Sequence, residues 1–281
     1  MYQPLVISSS EYHSHPNDSS SNVRAILDND KKYILQKEGG SITESKALVE
    51  GTVVHTYFGE RDLMWEQYVL RPDGLSFSTK EGKAWKAEEA KGRTILDSEW
   101  GYKLEKMEES FNASPAKDLY TDDGLKEKSF FWEDLHEINC KCRPDWISKD
   151  YKTLIDLKTT VSAEPRAFKR SIQKYRYDIQ AAFYMRGIEM STGVKPENFY
   201  FIAMEKVAPF CIGVYRIAPL WLSIGWNEVE EALFRINSLK ERGMKPIDYT
   251  PEVMDLNPPT WMNKKDPEPV KDTTEEIELF L

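Results

Sequence analysis

A chain of 281 residues with 40% apolar and 30% charged side chains is long enough for one large domain or two small ones, and it reads as soluble and globular. No apolar run approaches the roughly 20 residues that a membrane helix needs, and the N-terminus lacks the basic and apolar regions of a secretory signal. The net charge of −9 argues against a nucleic-acid partner, but residues 248–281 carry nine acids against three bases and hold −6 of it, so the remaining body is near neutral and can carry a local basic surface.

Residues 1–19 are polar and turn-rich. A hydroxyl cap at Ser20 or Ser21 predicts a helix through "NVRAILDNDKKYILQ". A loop over 38–46 leads into a helix from about Ser45 that carries His55, with Gly51 allowing close packing. Residues 66–80 read as extended and turn-like. Helices are expected over 81–91 and 97–112, broken at Gly92. "LKEKSFFWEDLHEINCKCRPDWISKDYKTLIDLKTT" reads as a meander with strands near 126–133, 137–147 and 152–159 and a hairpin turn at "SKDYK". One long helix follows over 164–192, then strands in "NFYFIAMEK" and "FCIGVYRI". An amphipathic helix stops at Gly243, and a Pro-rich, acidic tail follows. This order predicts an α/β fold around a mixed sheet. The expected division is one domain over 1–260, with an N-terminal helical portion, and a tail over 261–281. Cys140, Cys142 and Cys211 form no CxxC pair and are too few for a four-cysteine site, so the cytosol is the expected compartment.

The chemistry concentrates in "CRPDWISKDYKTLIDLKTT". Period-2 geometry puts Asp156 and Lys158 on one face of their strand. Alone, they read equally well as a simple ion pair. Asp145, at the end of the preceding strand, can be brought beside Asp156 by the hairpin. Two converging carboxylates repel unless a cation lies between them, and hard oxygen ligands suit Mg²⁺ or Mn²⁺. Downstream, "RAFKRSIQKYR" offers Arg166, Lys169, Arg170, Lys174 and Arg176 around an apolar stripe of Phe168, Ile172 and Tyr175. By itself it reads as an ordinary solvated face, though its cations would also suit sequence-independent phosphate contacts. Trp85, Trp100, Trp132, Trp146 and Trp261 supply rings for the core, or one for a wedge at a duplex end.

"RPDW…LIDLKTT" resembles the core of the PD-(D/E)XK nuclease superfamily. "ALVEGTVVH" and "YRYDIQAAFY" resemble the His helix and the Gln-x-x-x-Tyr element of its RecB-like branch. With "KEKSFFWEDLHEINCKCRPDW", the chain resembles the RecE-type, exonuclease VIII-like enzymes of phage and prophage from about Ser20 to Pro259. The resemblance implies a PD-(D/E)XK core, a central mixed β-sheet flanked by helices. It implies His55, Asp145 and Asp156 as metal ligands, with Leu157 offering its carbonyl. Lys158 would orient or activate the attacking water. Glu127 would bind the metal through water or support the site. Gln180 and Tyr184 would face the DNA backbone.

It further implies Mg²⁺, with Mn²⁺ able to substitute, and 5′→3′ digestion of one strand of linear duplex DNA. The product would be a 3′ overhang for a single-strand annealing protein. The enzyme would be a homo-oligomeric ring acting on double-stranded DNA ends, with no membrane role, in the cytoplasm of a bacterial cell. The competing expectations are an endonuclease or single-strand exonuclease of the same fold, or an inactive DNA-binding recombination accessory. The C-terminal "DTTEEIELFL" is either a docking segment for a partner or a solubilising tail.

Overall fold

The structure, a computed structural model, describes residues 4–39, 46–249 and 252–257. The acidic segment 261–281, its docking motif and Trp261 lie outside the described residues. The turn-rich N-terminus contains a short helix, α1 (Ser9–Ser14), closed by a capping box between Ser8 and Glu11. The single helix expected next is two, α2 (Ser20–Asp28) and α3 (Asp30–Lys37). Asn29 is extended between them, and its side chain accepts the Lys31 N–H at 2.8 Å to start α3.

α4 (Lys46–Gly59) and α5 (Arg61–Gln67) follow, then β1 (Tyr68–Leu70). α6 (Lys80–Trp85) runs on as a π-helical turn, Lys86–Ala90. β2 (Thr94–Leu96), which sequence periodicity did not reveal, pairs parallel to β1. α7 (Glu99–Asn112) and α8 (Ala116–Leu119) complete the first half.

The expected meander divides between two sheets. β4 (Phe130–Asp134) and β5 (Ile138–Cys142) form a separate antiparallel ribbon. β3 (Leu125–Lys126), β6 (Trp146–Ile147) and β7 (Thr153–Thr160) join β8 (Asn198–Glu205) and β9 (Ile212–Arg216) in a five-stranded sheet of order β3-β6-β7-β8-β9. Only β7 and β8 are parallel, so the sheet is mixed. The crossover between them is not one helix but two, α9 (Pro165–Tyr175) and α10 (Tyr177–Thr192). Arg176 breaks them with φ of 53°, a left-handed conformation that ends α9. The guanidinium of Arg176 grips Asp178 at 3.1 and 3.0 Å and fixes the bend. α11 (Pro219–Glu241) ends the described fold and starts earlier than its amphipathic pattern indicated.

Two cores flank the sheet. One buries Leu154, Phe199 and Phe201 against α2, α10 and α11 through Val23, Phe183 and Val229. The other buries Ile155, Leu157 and Ile202 against α4 and α7 through Val53, Val54 and Leu104. The alternation in β7 thus sends Asp156 toward α10 and its apolar neighbours toward α4.

Gly51 is not demanded by sterics: a Cβ there would meet Thr159 Oγ1 at an ordinary 3.5 Å. Gly225 is. Its added Cβ would lie 2.6 Å from the Asp178 carbonyl carbon and 3.0 Å from the Ile179 nitrogen, both backbone atoms of α10. Gly225→Ala must therefore push α11 off α10, at a cost of about 1–3 kcal/mol. Thermal unfolding should show a Tm several degrees lower; an unchanged Tm would mean the crossing relaxes without loss.

Candidate active site

β7 places Asp156 and Lys158 on one face, and α10 closes over them. Asp156 is 2% exposed. Its Oδ1 accepts from Gln180 Nε2. Its Oδ2 accepts no aligned hydrogen bond, and its close neighbour is the Lys158 ammonium, in an ion pair. That ion pair compensates the buried charge of the oxygen. Burial pushes the Asp156 carboxyl up to about 6, against the pull of Lys158 and with the charge of Asp145 adding to it.

Asp145 stands on the short link between β5 and β6. Its Oδ2 accepts the Leu157 backbone N–H at 2.5 Å, and its Oδ1 lies 3.3 Å from His55 Nδ1. Leu157 thus meets the site through its N–H. Burial opposes ionisation of Asp145, but His55 and Lys158 outweigh it and hold the carboxyl below its usual range. Burial would likewise lower His55, yet the Asp145 carboxylate pushes it up to about 9. Glu127 completes the group: one ligand atom from each of His55, Glu127 and Asp145 lies within 4.8 Å of the others. Burial and then the Asp145 charge push Glu127 up to about 8. Its backbone has φ of 50°.

Arg143 was not singled out from the sequence. Its Nε donates to Glu127 at 2.8 Å, its Nη2 to Glu60 at 3.2 Å and its Nη1 to the Ile7 carbonyl at 3.2 Å. It thereby holds Glu127 in place from behind. No local signal reveals this, because Glu60 and Ile7 are far away in sequence. Only the adjacency of Arg143 to Pro144-Asp145 hints at it. The Lys158 ammonium lies 4.8 Å from the centre of the Tyr177 ring.

His55, Glu127, Arg143, Asp145, Lys158 and Tyr177 line a groove of about 1070 Å³ that also takes in Tyr184, Arg170, Lys174 and Lys206, whereas the buried Asp156 and Gln180 are not part of its lining. Of the basic helix, Arg170 and Lys174 reach the groove, whereas Arg166 and Lys169 stand exposed outside it. Arg176, expected to grip DNA, is instead committed to Asp178 and, at 3.4 Å, to Glu228. Gln180, expected against the DNA backbone, is buried on Asp156. Trp100, Trp132 and Trp146 are core residues, and none of the described tryptophans lines the groove.

The imidazole of His55 and the carboxylates of Glu127 and Asp145 form a donor set that suits a hard divalent cation, while the buried Asp156 is paired with Lys158. Among the described residues no helix is long and apolar enough to cross a membrane.

The chain superposes on the crystal structure of a candidate exonuclease from Eubacterium rectale over 93% of its own length and 99% of the other, with 17% identity and a TM-score of 0.64, which shows a shared fold. A looser likeness, with 12% identity and a TM-score of 0.39 over 84% of this chain and 98% of the other, links it to an alkaline exonuclease from Laribacter hongkongensis. No curated protein sequence matches it. A family profile described as a PDDEXK-like domain of unknown function (DUF3799) matches residues 19–251, most of the chain and all of the site above, and the chain belongs to that PDDEXK-like family.

Proposed function

We propose that the protein is a metal-dependent exodeoxyribonuclease that digests one strand of linear duplex DNA from its 5′ end. The observation that carries the nuclease reading is the convergence of His55, Glu127 and Asp145 in an open groove also lined by Arg170, Lys174 and by Lys158, which pairs with the buried Asp156; the 5′ polarity rests on the RecE-type resemblance. His55, Asp145 and Asp156 would hold a divalent cation, Mg²⁺ or Mn²⁺, with Glu127 supporting them. When bound, such an ion polarises the scissile phosphate and acidifies a nearby water.

The chain's own residues supply the rest. Lys158 presents its ammonium where negative charge develops on the phosphate. Gln180 fixes the rotamer of Asp156, and Arg143 fixes Glu127. Tyr177 seats the lysine. Arg170 and Lys174 take backbone phosphates without reading sequence, which suits digestion of any DNA. The RecE-type resemblance extends the proposal to 3′ overhangs for a single-strand annealing partner, a homo-oligomeric ring around the duplex, and a bacterial cytoplasm.

Time-resolved digestion of a long linear duplex labelled at its 5′ or 3′ end, with Mg²⁺, Mn²⁺ or EDTA, tests this. Early release of the 5′ label as mononucleotide, abolished by EDTA, is expected. Early 3′ release would reverse the polarity, and cleavage of closed circles would make it an endonuclease. Intact DNA with every metal would leave a binding protein that kept the fold.

A further inference from the structure

The groove has one exposed aromatic ring that the reaction above does not use. Tyr175, at the last turn of α9, is 49% exposed and lines the groove with Lys158 and Asp145. Its inner side is well supported. The Tyr177 ring lies 5.6 Å away at 27°. Tyr177 in turn packs on Phe201 at 5.7 Å and on Phe168 at 6.2 Å, and both of these are fully buried in the core. A row of rings thus runs from the sheet to the solvent and ends at Tyr175. The left-handed Arg176, held by Asp178, fixes the turn that carries it. Tyrosine has two side-chain torsions to restrain, so a ring braced in this way costs little entropy when something stacks on it.

The chemistry around the ring specifies the occupant. The Lys174 ammonium lies over the ring, 5.0 Å from its centre, on a flexible stem that must swing to a phosphate when a base takes that face, and Arg170, one turn back on α9, lines the same groove. A flat apolar surface flanked by cations matches a nucleobase flanked by phosphates. Every base has a π-face, so such a platform places no demand on sequence. The row also ties position to chemistry, because the ring behind Tyr175 is the one on which the Lys158 ammonium rests.

We infer that Tyr175 is a stacking platform for a nucleobase of the bound strand, with Lys174 and Arg170 taking the adjoining phosphates. The platform sets where the strand stops relative to Lys158. This inference rests on the nuclease reading, since it assumes that the groove holds DNA.

The test uses the full chain in EDTA. The probes are a short duplex with a terminal 2-aminopurine and its counterpart in which that nucleotide is abasic. Wild-type protein should quench the 2-aminopurine and prefer the base-bearing probe. Tyr175→Ala should bind the base-bearing probe roughly 5- to 100-fold more weakly, as loss of one stacked base predicts, and bind the abasic probe as wild type does. Tyr175→Phe and Tyr175→Trp should retain both quenching and preference. Equal weakening on both probes, or none on either, would overturn the platform. So would a change in oligomeric mass in Tyr175→Ala, which would assign the ring to a contact between copies. The two readings fail separately. Quenching without metal-dependent digestion by the wild type would sink the nuclease and keep the platform. Normal digestion by Tyr175→Ala with no probe discrimination would do the reverse.

Discussion

Asp156→Asn is expected to lower metal-dependent hydrolysis by at least about 10³-fold while leaving the fold intact, since removing a single group that stabilises the transition state costs 10²–10³-fold and this one would also hold the cation. The side chain keeps its size, and the asparagine carbonyl can still accept from Gln180. What disappears is the negative charge facing Lys158 and the oxygen that has no hydrogen bond. Burial already works against that charge, as the upward displacement of the carboxyl to about 6 shows, so above pH 6 the folded state carries an ionised acid that its surroundings disfavour. A neutral replacement removes that burden but leaves the Lys158 ammonium without its carboxylate, so the Tm is expected to fall by several degrees while unfolding stays cooperative. Lys158→Ala should lose about 10²–10³-fold by removing the cation near the phosphate. Activity assays paired with thermal unfolding decide the matter. Activity lost together with a collapse in Tm would make Asp156 a structural acid, and activity retained would move the chemistry elsewhere.

The second large effect concerns metal affinity and pH. His55 binds a metal only as neutral imidazole, yet beside Asp145 it stays protonated up to about pH 9. The ion must displace that proton, so affinity should rise about tenfold per pH unit as pH climbs toward 9 and level off above it. Glu127, pushed up to about 8 in the same group, steepens the dependence in the same direction. Calorimetric titration of Mn²⁺ between pH 6.5 and 8.5, in buffers of different ionisation enthalpy, should give at least a tenfold gain over that span and release of about one proton or more. His55→Gln should bind more weakly and with a shallower pH dependence. Equal affinity across the range would show that His55 does not leave its proton for the metal.

Legibility in the sequence followed distance along the chain. Asp156 and Lys158 were readable because a strand alternates and the two are two residues apart, and Asp145 because a short hairpin carries it back. The hard step was Arg143, whose partner Glu60 is 83 positions away; no local pattern encodes such a pairing. The helix read over 164–192 shows a different limit. Polar and apolar residues continue through Arg176, and periodicity alone does not register a single left-handed residue held by a buried acid two places on. The same bend turns the Arg176 guanidinium onto Asp178. The meander differs in strand number as well as pairing: the three expected strands are five, β4 and β5 satisfy each other, and the main sheet takes its strands from either side of them.

The bend at Arg176 also divides labour along the chain. Gln180, which holds Asp156, rides on α10, which is locked to α11 by the close crossing at Gly225. The residues proposed to meet the strand, Arg170, Lys174 and Tyr175, ride on α9. A lineage or an engineer can therefore rewrite the exposed face of α9 and change how tightly, or on which nucleic acid, the protein holds, without disturbing the acid–lysine pair. The grip becomes an interchangeable cartridge in front of a fixed catalytic engine.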